Sequence, residues 1–252
     1  MGGDLFQRDE RGNLDATLLW SAAAVVILVS RWDRLWAWSI AALVLWILGT
    51  WKYYPFAMGL MLIPALRLKR GWTVIAGYGI AAVGFLVLTW DNFRFSSQSN
   101  TNMIDYGDFV VLGRVPVVAR MLGTVVGAGG IQLGDAIFFL LALAALVWGA
   151  AIAFAVGRRQ TYPAMLAVAG SSVFLASVLV AGFGYGYKAT FLLLGVPLVS
   201  ALLARCQRIV VSSSLCIVAL IAITSVVVWN TVLATLAGVI AASFLLGLSG
   251  AL

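Results

Sequence analysis

The sequence has no histidine, two cysteines, five prolines and only 10% charged residues. Each scarcity removes a class of function. Without histidine the commonest general base and the commonest metal ligand are gone. Cys206 and Cys216 lie ten residues apart, a spacing that fits neither a zinc site nor a redox pair. With so little charge, a water-soluble fold would lack the polar surface needed to cover its exterior. Acids are the scarcest charge, nine against sixteen Lys and Arg. No phosphate-cradling loop is present either, because Gly182-Phe-Gly-Tyr-Gly186 lacks the strand context such loops require.

What fills the chain instead is apolar: 63% of the 252 residues are hydrophobic. The runs are continuous rather than alternating, which excludes a membrane β-barrel and points to helices that satisfy their own backbone amides. Nine runs approach spanning length: Ala16–Ser30, Leu35–Thr50, Tyr53–Leu66, Trp72–Leu88, Ala136–Val156, Ala164–Phe183, Ala189–Leu203, Ile209–Trp229 and Val232–Leu248. The expected fold is an all-α, polytopic transmembrane bundle of about nine spans in a single domain covering residues 1–252. The first, third and seventh runs are short for a perpendicular span, so tilt, bilayer thinning or extension into flanking residues is expected there.

Charge orders the loops. One alternate set holds nine basic residues, from Arg31 to Arg208, and one acid, Asp33, for a net of +8. The complementary set with the N-terminal tail holds seven basic residues and eight acids, net −1, and the two together give the chain's +7. Basic loops stay cytoplasmic, so the N-terminus is expected outside and the C-terminus inside, in a plasma membrane of bacterial type. The high isoelectric point then reflects orientation and not nucleic-acid binding. An external N-terminus without an apolar leader leaves two readings. Either the acidic tail is translocated behind the first span, or an N-terminal part of a longer protein, or a partner subunit, supplies what precedes it.

The long connection, residues 90–135, is expected on the outer side. It is polar at first, with Asp105 and Asp108, and then amphipathic through Phe109–Leu122, which reads as an interfacial helix with Arg114 and Arg120 towards headgroups. Its role is equally a helix resting on the membrane or a cover for a substrate.

The remaining polar chemistry gathers on the outer side. Asp9-Glu-Arg-Gly-Asn-Leu-Asp15 precedes the first run, Trp51-Lys-Tyr-Tyr-Pro-Phe56 joins the second to the third, and Tyr185-Gly-Tyr-Lys188 opens the seventh. An ammonium beside tyrosines at a helix end reaches a lipid phosphate, although snorkelling lysines in an aromatic belt look the same. Lys52 and Lys188, with Arg11, Tyr53 and Tyr187, are the candidate phosphate contacts. Asp9, Glu10, Asp105 and Asp108 are the available carboxylates, while Asn13 and Asp15 are expected to cap the first helix. No cofactor is evident, and a divalent metal has no supporting motif.

These motifs, with Arg67–Arg70 closing the third run and Pro197 following the seventh motif, resemble the membrane glycosyltransferases of the GT-C type that use polyprenyl-phosphate sugars, the mannosyltransferase-like family 87. The resemblance covers most of the chain in order. It implies transfer of a sugar, often mannose, from a lipid-linked monophosphate to a cell-envelope acceptor on the outer face. It also implies a catalytic acid in a first external loop upstream of Glu10-Arg-Gly-Asn13, which this chain lacks, and an acid where Gly186 stands. Two other classes remain open: a transporter or lipid flippase, and a non-catalytic remnant or accessory subunit.

Overall fold

The computed structural model describes residues 3–90, 130–156, 161–179, 186–204, 208–226 and 231–250, with side chains described over 16–90, 140–156, 162–177, 190–204, 208–220 and 236–250. Among the described residues all regular structure is helical and there is no strand. The order is α1 Gly3–Arg31, α2 Leu35–Trp51, the 3₁₀ helix η1 Tyr54–Arg67, α3 Gly71–Leu88, α4 Gly130–Val156, α5 Thr161–Leu179, the 3₁₀ helix η2 Gly186–Gly195 running straight into α6 Val196–Leu203, α7 Arg208–Val226 and α8 Thr231–Ser249. Within the described residues each of the nine apolar runs falls in one rod, η2 and α6 forming a single rod.

The helices are built on buried stripes. In α1 Leu18, Ala22, Val25 and Val29 recur at three- and four-residue steps, as do Trp38, Ala41, Leu45 and Leu48 in α2, and all are buried. Helix α5 is buried on every side from Ala164 to Phe174, so it is the central post. Met165, Val168, Ala169 and Val173 face a first core with α1, α2, η1 and η2. Ala167 and Phe174 face a second with α4, α6, α7 and α8.

The third and seventh rods are short because they are stretched. A 3₁₀ helix rises about 2.0 Å per residue against about 1.5 Å in an α-helix. The 14 residues of η1 therefore reach about 28 Å, and the 10 of η2 with the 8 of α6 about 32 Å. The three-residue turn is visible in burial. Pro55, Met58, Met61 and Pro64 are buried, whereas Leu60, Ile63 and Leu66 are exposed. In η2, Phe191 and Leu194 face the first core, Leu192 faces the second, and Leu193 points outward. The first rod departs from expectation differently. Its helix begins at Gly3, so Asn13 and Asp15 lie well inside α1 and not at its N-cap. Leu5, Phe6, Gln7, Arg8, Glu10 and Arg11 favour helix, and Asp4 and Arg8 stand at the supportive i,i+4 spacing.

Small residues set the closest approaches. A Cβ on Gly149 of α4 would overlap the Phe244 carbonyl of α8, and one on Gly247 would overlap the Leu146 carbonyl, so the two backbones touch there. Ala145, Gly149 and Ala153 on one side and Ser243 and Gly247 on the other form the small-xxx-small pattern that permits this contact. Gly170 of α5 lies in the same way against the Phe191 carbonyl of η2. Buried Ser172, Ser177 and Ser249 return their hydroxyl protons to carbonyls of their own helices, Ala169, Phe174 and Leu245.

Large apolar side chains, in contrast, face outward: Trp20, Ile80, Leu88 and Phe154 are each more than 70% exposed. Helix α3, Gly71–Leu88, is long and apolar enough to cross a membrane, and 22% of it is buried. Among the residues with described side chains, seven further apolar helical stretches of 10–17 residues follow the same composition, among them Ala16–Arg31, Leu35–Trp51 and Leu140–Val156.

Candidate functional site

Short turns alternate the direction of the first four rods, so the α2–η1 turn stands at the same end as the amino-terminal part of α1. Helix α2 stops at Lys52, whose extended backbone (φ −145°, ψ 132°) ends the helical hydrogen bonding after a last N–H to the Leu48 carbonyl. Pro55 starts η1, where a missing N–H costs nothing. The turn thus lifts Lys52 and Tyr53 to the rim, both half-buried, while Tyr54 points inward and is 8% exposed.

Tyr54 is the hinge of the site. The Lys52 ammonium lies 5.7 Å from the centre of the Tyr54 ring, within cation–π range. The same ring meets Phe191 of η2, centroids 6.3 Å apart at 69°. Phe191 follows position 188 by one 3₁₀ turn, and positions 188, 191 and 194 share a stripe because residues three apart eclipse in this helix. The two lysine-bearing motifs, far apart in the sequence, therefore converge at one end of the molecule. The Lys188 and Tyr187 side chains lie outside the described ones, so their placement rests on the backbone of η2.

Behind Lys52 stands an aromatic wall. Phe85 of α3 receives Trp46, Tyr53 and Phe56, with centroids 6.3, 6.2 and 5.7 Å away. Tyr78 locks the start of η1 by donating its hydroxyl proton to the Phe56 carbonyl at 2.8 Å, and its ring fills the space over Gly59. The Trp46 Nε1 is buried without a hydrogen-bond partner among the described residues.

No family model, curated protein or solved structure matches the chain. The site must therefore be judged on its own residues.

Of the expected carboxylates, Asp9 and Glu10 lie on α1, with Arg11, Asn13 and Asp15. By length, residue 15 stands level with the end of α2, since both are about 24 Å above the Arg31–Leu35 turn. Asp9 and Glu10 therefore occupy the stretch of α1 that continues past the Lys52 rim, and their side chains are outside the described ones. Asp105 and Asp108, with the Phe109–Leu122 segment and its Arg114 and Arg120, lie outside the described residues. The sequence reading named Tyr53 and passed over Tyr54, the residue that joins the two motifs. Its signal was Pro55, which fixes where the helix starts and hence which tyrosine turns inward.

Proposed function

We propose that the chain is a multi-pass membrane protein and that the Lys52 rim receives a polyprenyl-phosphate sugar for transfer to a cell-envelope acceptor. Several features support the membrane reading. The rods α2, η1, α3, α4, α5, α6, α7 and α8 carry at most one charged residue each, and outward-facing Trp, Leu and Ile side chains need an apolar solvent. Exposed Trp72 and Trp90 flank α3 about 27 Å apart, and exposed Trp36 and Trp51 stand at opposite ends of α2. Such spacing suits the two interfacial belts of a bilayer with a core of about 30 Å. The stretched η1 and η2–α6 rods reach the same thickness.

The observation that carries the site is Tyr54, whose ring contacts both the Lys52 ammonium and Phe191. It joins the two motifs on which the resemblance to polyprenyl-phosphate-dependent enzymes rests. In that reaction the departing lipid phosphate gains charge as its bond to the sugar's anomeric carbon breaks. Ammonium groups beside the departing phosphate stabilise that charge, and a carboxylate takes the acceptor's hydroxyl proton. Lys52 and Lys188 suit the first role. Asp9 and Glu10, on the part of α1 that continues past the rim, are the candidates for the second.

Binding of a polyprenyl-phosphate mannose to the protein in lipid nanodiscs tests this. Lys52→Ala and Lys188→Ala are each expected to weaken binding about tenfold, the size of one charge-assisted contact. Unchanged affinity in both variants would refute the phosphate role.

A further inference from the structure

The opposite end of the molecule carries a second concentration of charge, independent of the Lys52 rim. The α1–α2 turn, residues 32–34, and the η1–α3 turn, residues 68–70, stand at the same end, because the short turns reverse each of these packed rods in succession. Between them they present Arg31, Arg34, Arg67, Lys69 and Arg70, all exposed. The local acid, Asp33, is engaged. Its carboxylate accepts a hydrogen bond from Nε1 of buried Trp38 at 2.8 Å, which holds it against α2. Among the described residues no ion pair engages Arg34, Arg67, Lys69 or Arg70. Arg31 lies instead over the Trp32 ring, 5.5 Å from its centre, and Trp32 contacts Trp36 at 5.9 Å.

The turns are also rigid. The Leu68 N–H donates to the Ala65 carbonyl and the Gly71 N–H to the Leu68 carbonyl, both at 2.9 Å. A Cβ on Gly71 would overlap the Ala65 carbonyl, so only glycine closes this turn. The Thr73 hydroxyl donates to the Arg70 carbonyl at 2.7 Å. The turn backbone that carries these cations is therefore already ordered before a partner binds. They are flanked by exposed Trp32, Trp36 and Trp72, whose rings suit the headgroup level of a bilayer.

The geometry points to a binding surface for anionic phospholipid headgroups on these two turns. Guanidinium groups grip the phosphodiester, the indoles seat beside the glycerol region, and Trp38 keeps Asp33 from competing for the arginines. The inference rests on the membrane reading but not on the glycosyltransferase reading. Its partner is a bilayer lipid, in which several charges share one surface, and not a free phosphate.

Native mass spectrometry of lipids retained from nanodiscs of equal phosphatidylcholine and phosphatidylglycerol tests it. The wild type is expected to retain phosphatidylglycerol preferentially, and Arg34→Gln/Arg67→Gln/Arg70→Gln to lose about fivefold of that preference per cation removed. Trp38→Phe, which keeps an aromatic ring but frees Asp33, is expected to lower the preference, and Asp33→Asn to raise it. Circular dichroism confirms that each variant keeps its helices. Equal retention of both lipids by the wild type, or undiminished preference in the triple variant, overturns the proposal. So does displacement by soluble glycerophosphate at the same concentration, which would mark a free-phosphate site. Failure of a folded chain to enter the nanodiscs at all would instead overturn the membrane reading beneath it.

Discussion

At the scale of single residues, absence of a side chain matters as much as presence. Where apolar solvent gives no hydrophobic drive between helices, close backbone approach and hydrogen bonds hold rods together. Gly149 and Gly247 supply that approach between α4 and α8. Gly149→Val is expected to cost about 1–3 kcal/mol by overpacking, seen as a lower melting temperature in detergent, whereas Ala144→Val on the same helix tests the neighbouring position as a reference. Tyr78→Phe removes the proton given to the Phe56 carbonyl and is expected to cost about 1 kcal/mol. These residues were only partly legible. The Lys–Tyr motifs stood out because a cation beside tyrosines is rare in apolar sequence. The contact of Tyr54 with Phe191 did not, since nothing local to either residue announces the other.

At the scale of elements, the nine rods were legible because continuous apolar runs bounded by Arg and Lys leave few alternatives. The 3₁₀ character of two of them was not. Leu60, Ile63 and Leu66 are as apolar as Met58 and Met61, so no polarity contrast exposes the three-residue period. Only the shortness of the runs hinted at it. Nitroxide scanning of residues 58–66 checks this: accessibility to oxygen should peak at 60, 63 and 66, and peaks spaced 3.6 residues apart would contradict it. The start of α1 was misjudged for another reason. A polar sequence that reads as a capping motif is also good helix sequence, and there the helix extends through it to Gly3. Asn13→Ala is accordingly expected to leave stability unchanged or raise it by up to about 0.7 kcal/mol, where loss of a true cap would lower it by about 1 kcal/mol.

At the scale of the whole molecule, two cores share α5, and the two ends of the bundle differ in chemistry. Among the first four rods, one end carries Lys52, Tyr53 and the overhanging acids of α1; the other carries Arg31, Arg34, Arg67, Lys69 and Arg70, and exposed tryptophans stand at both. That asymmetry follows from the sequence alone, through the alternation of its charged turns, and the alternating rods keep it intact. We propose that this bundle crosses a bilayer with the Lys52 rim outside. Labelling of single cysteines by a membrane-impermeant maleimide tests it most directly, in a background carrying Cys206→Ser and Cys216→Ser. Trp51→Cys and Trp90→Cys, at the Lys52 end, should label in intact cells, and Lys69→Cys, at the far end of α3, only after permeabilisation. Labelling of all three from one side would contradict the account.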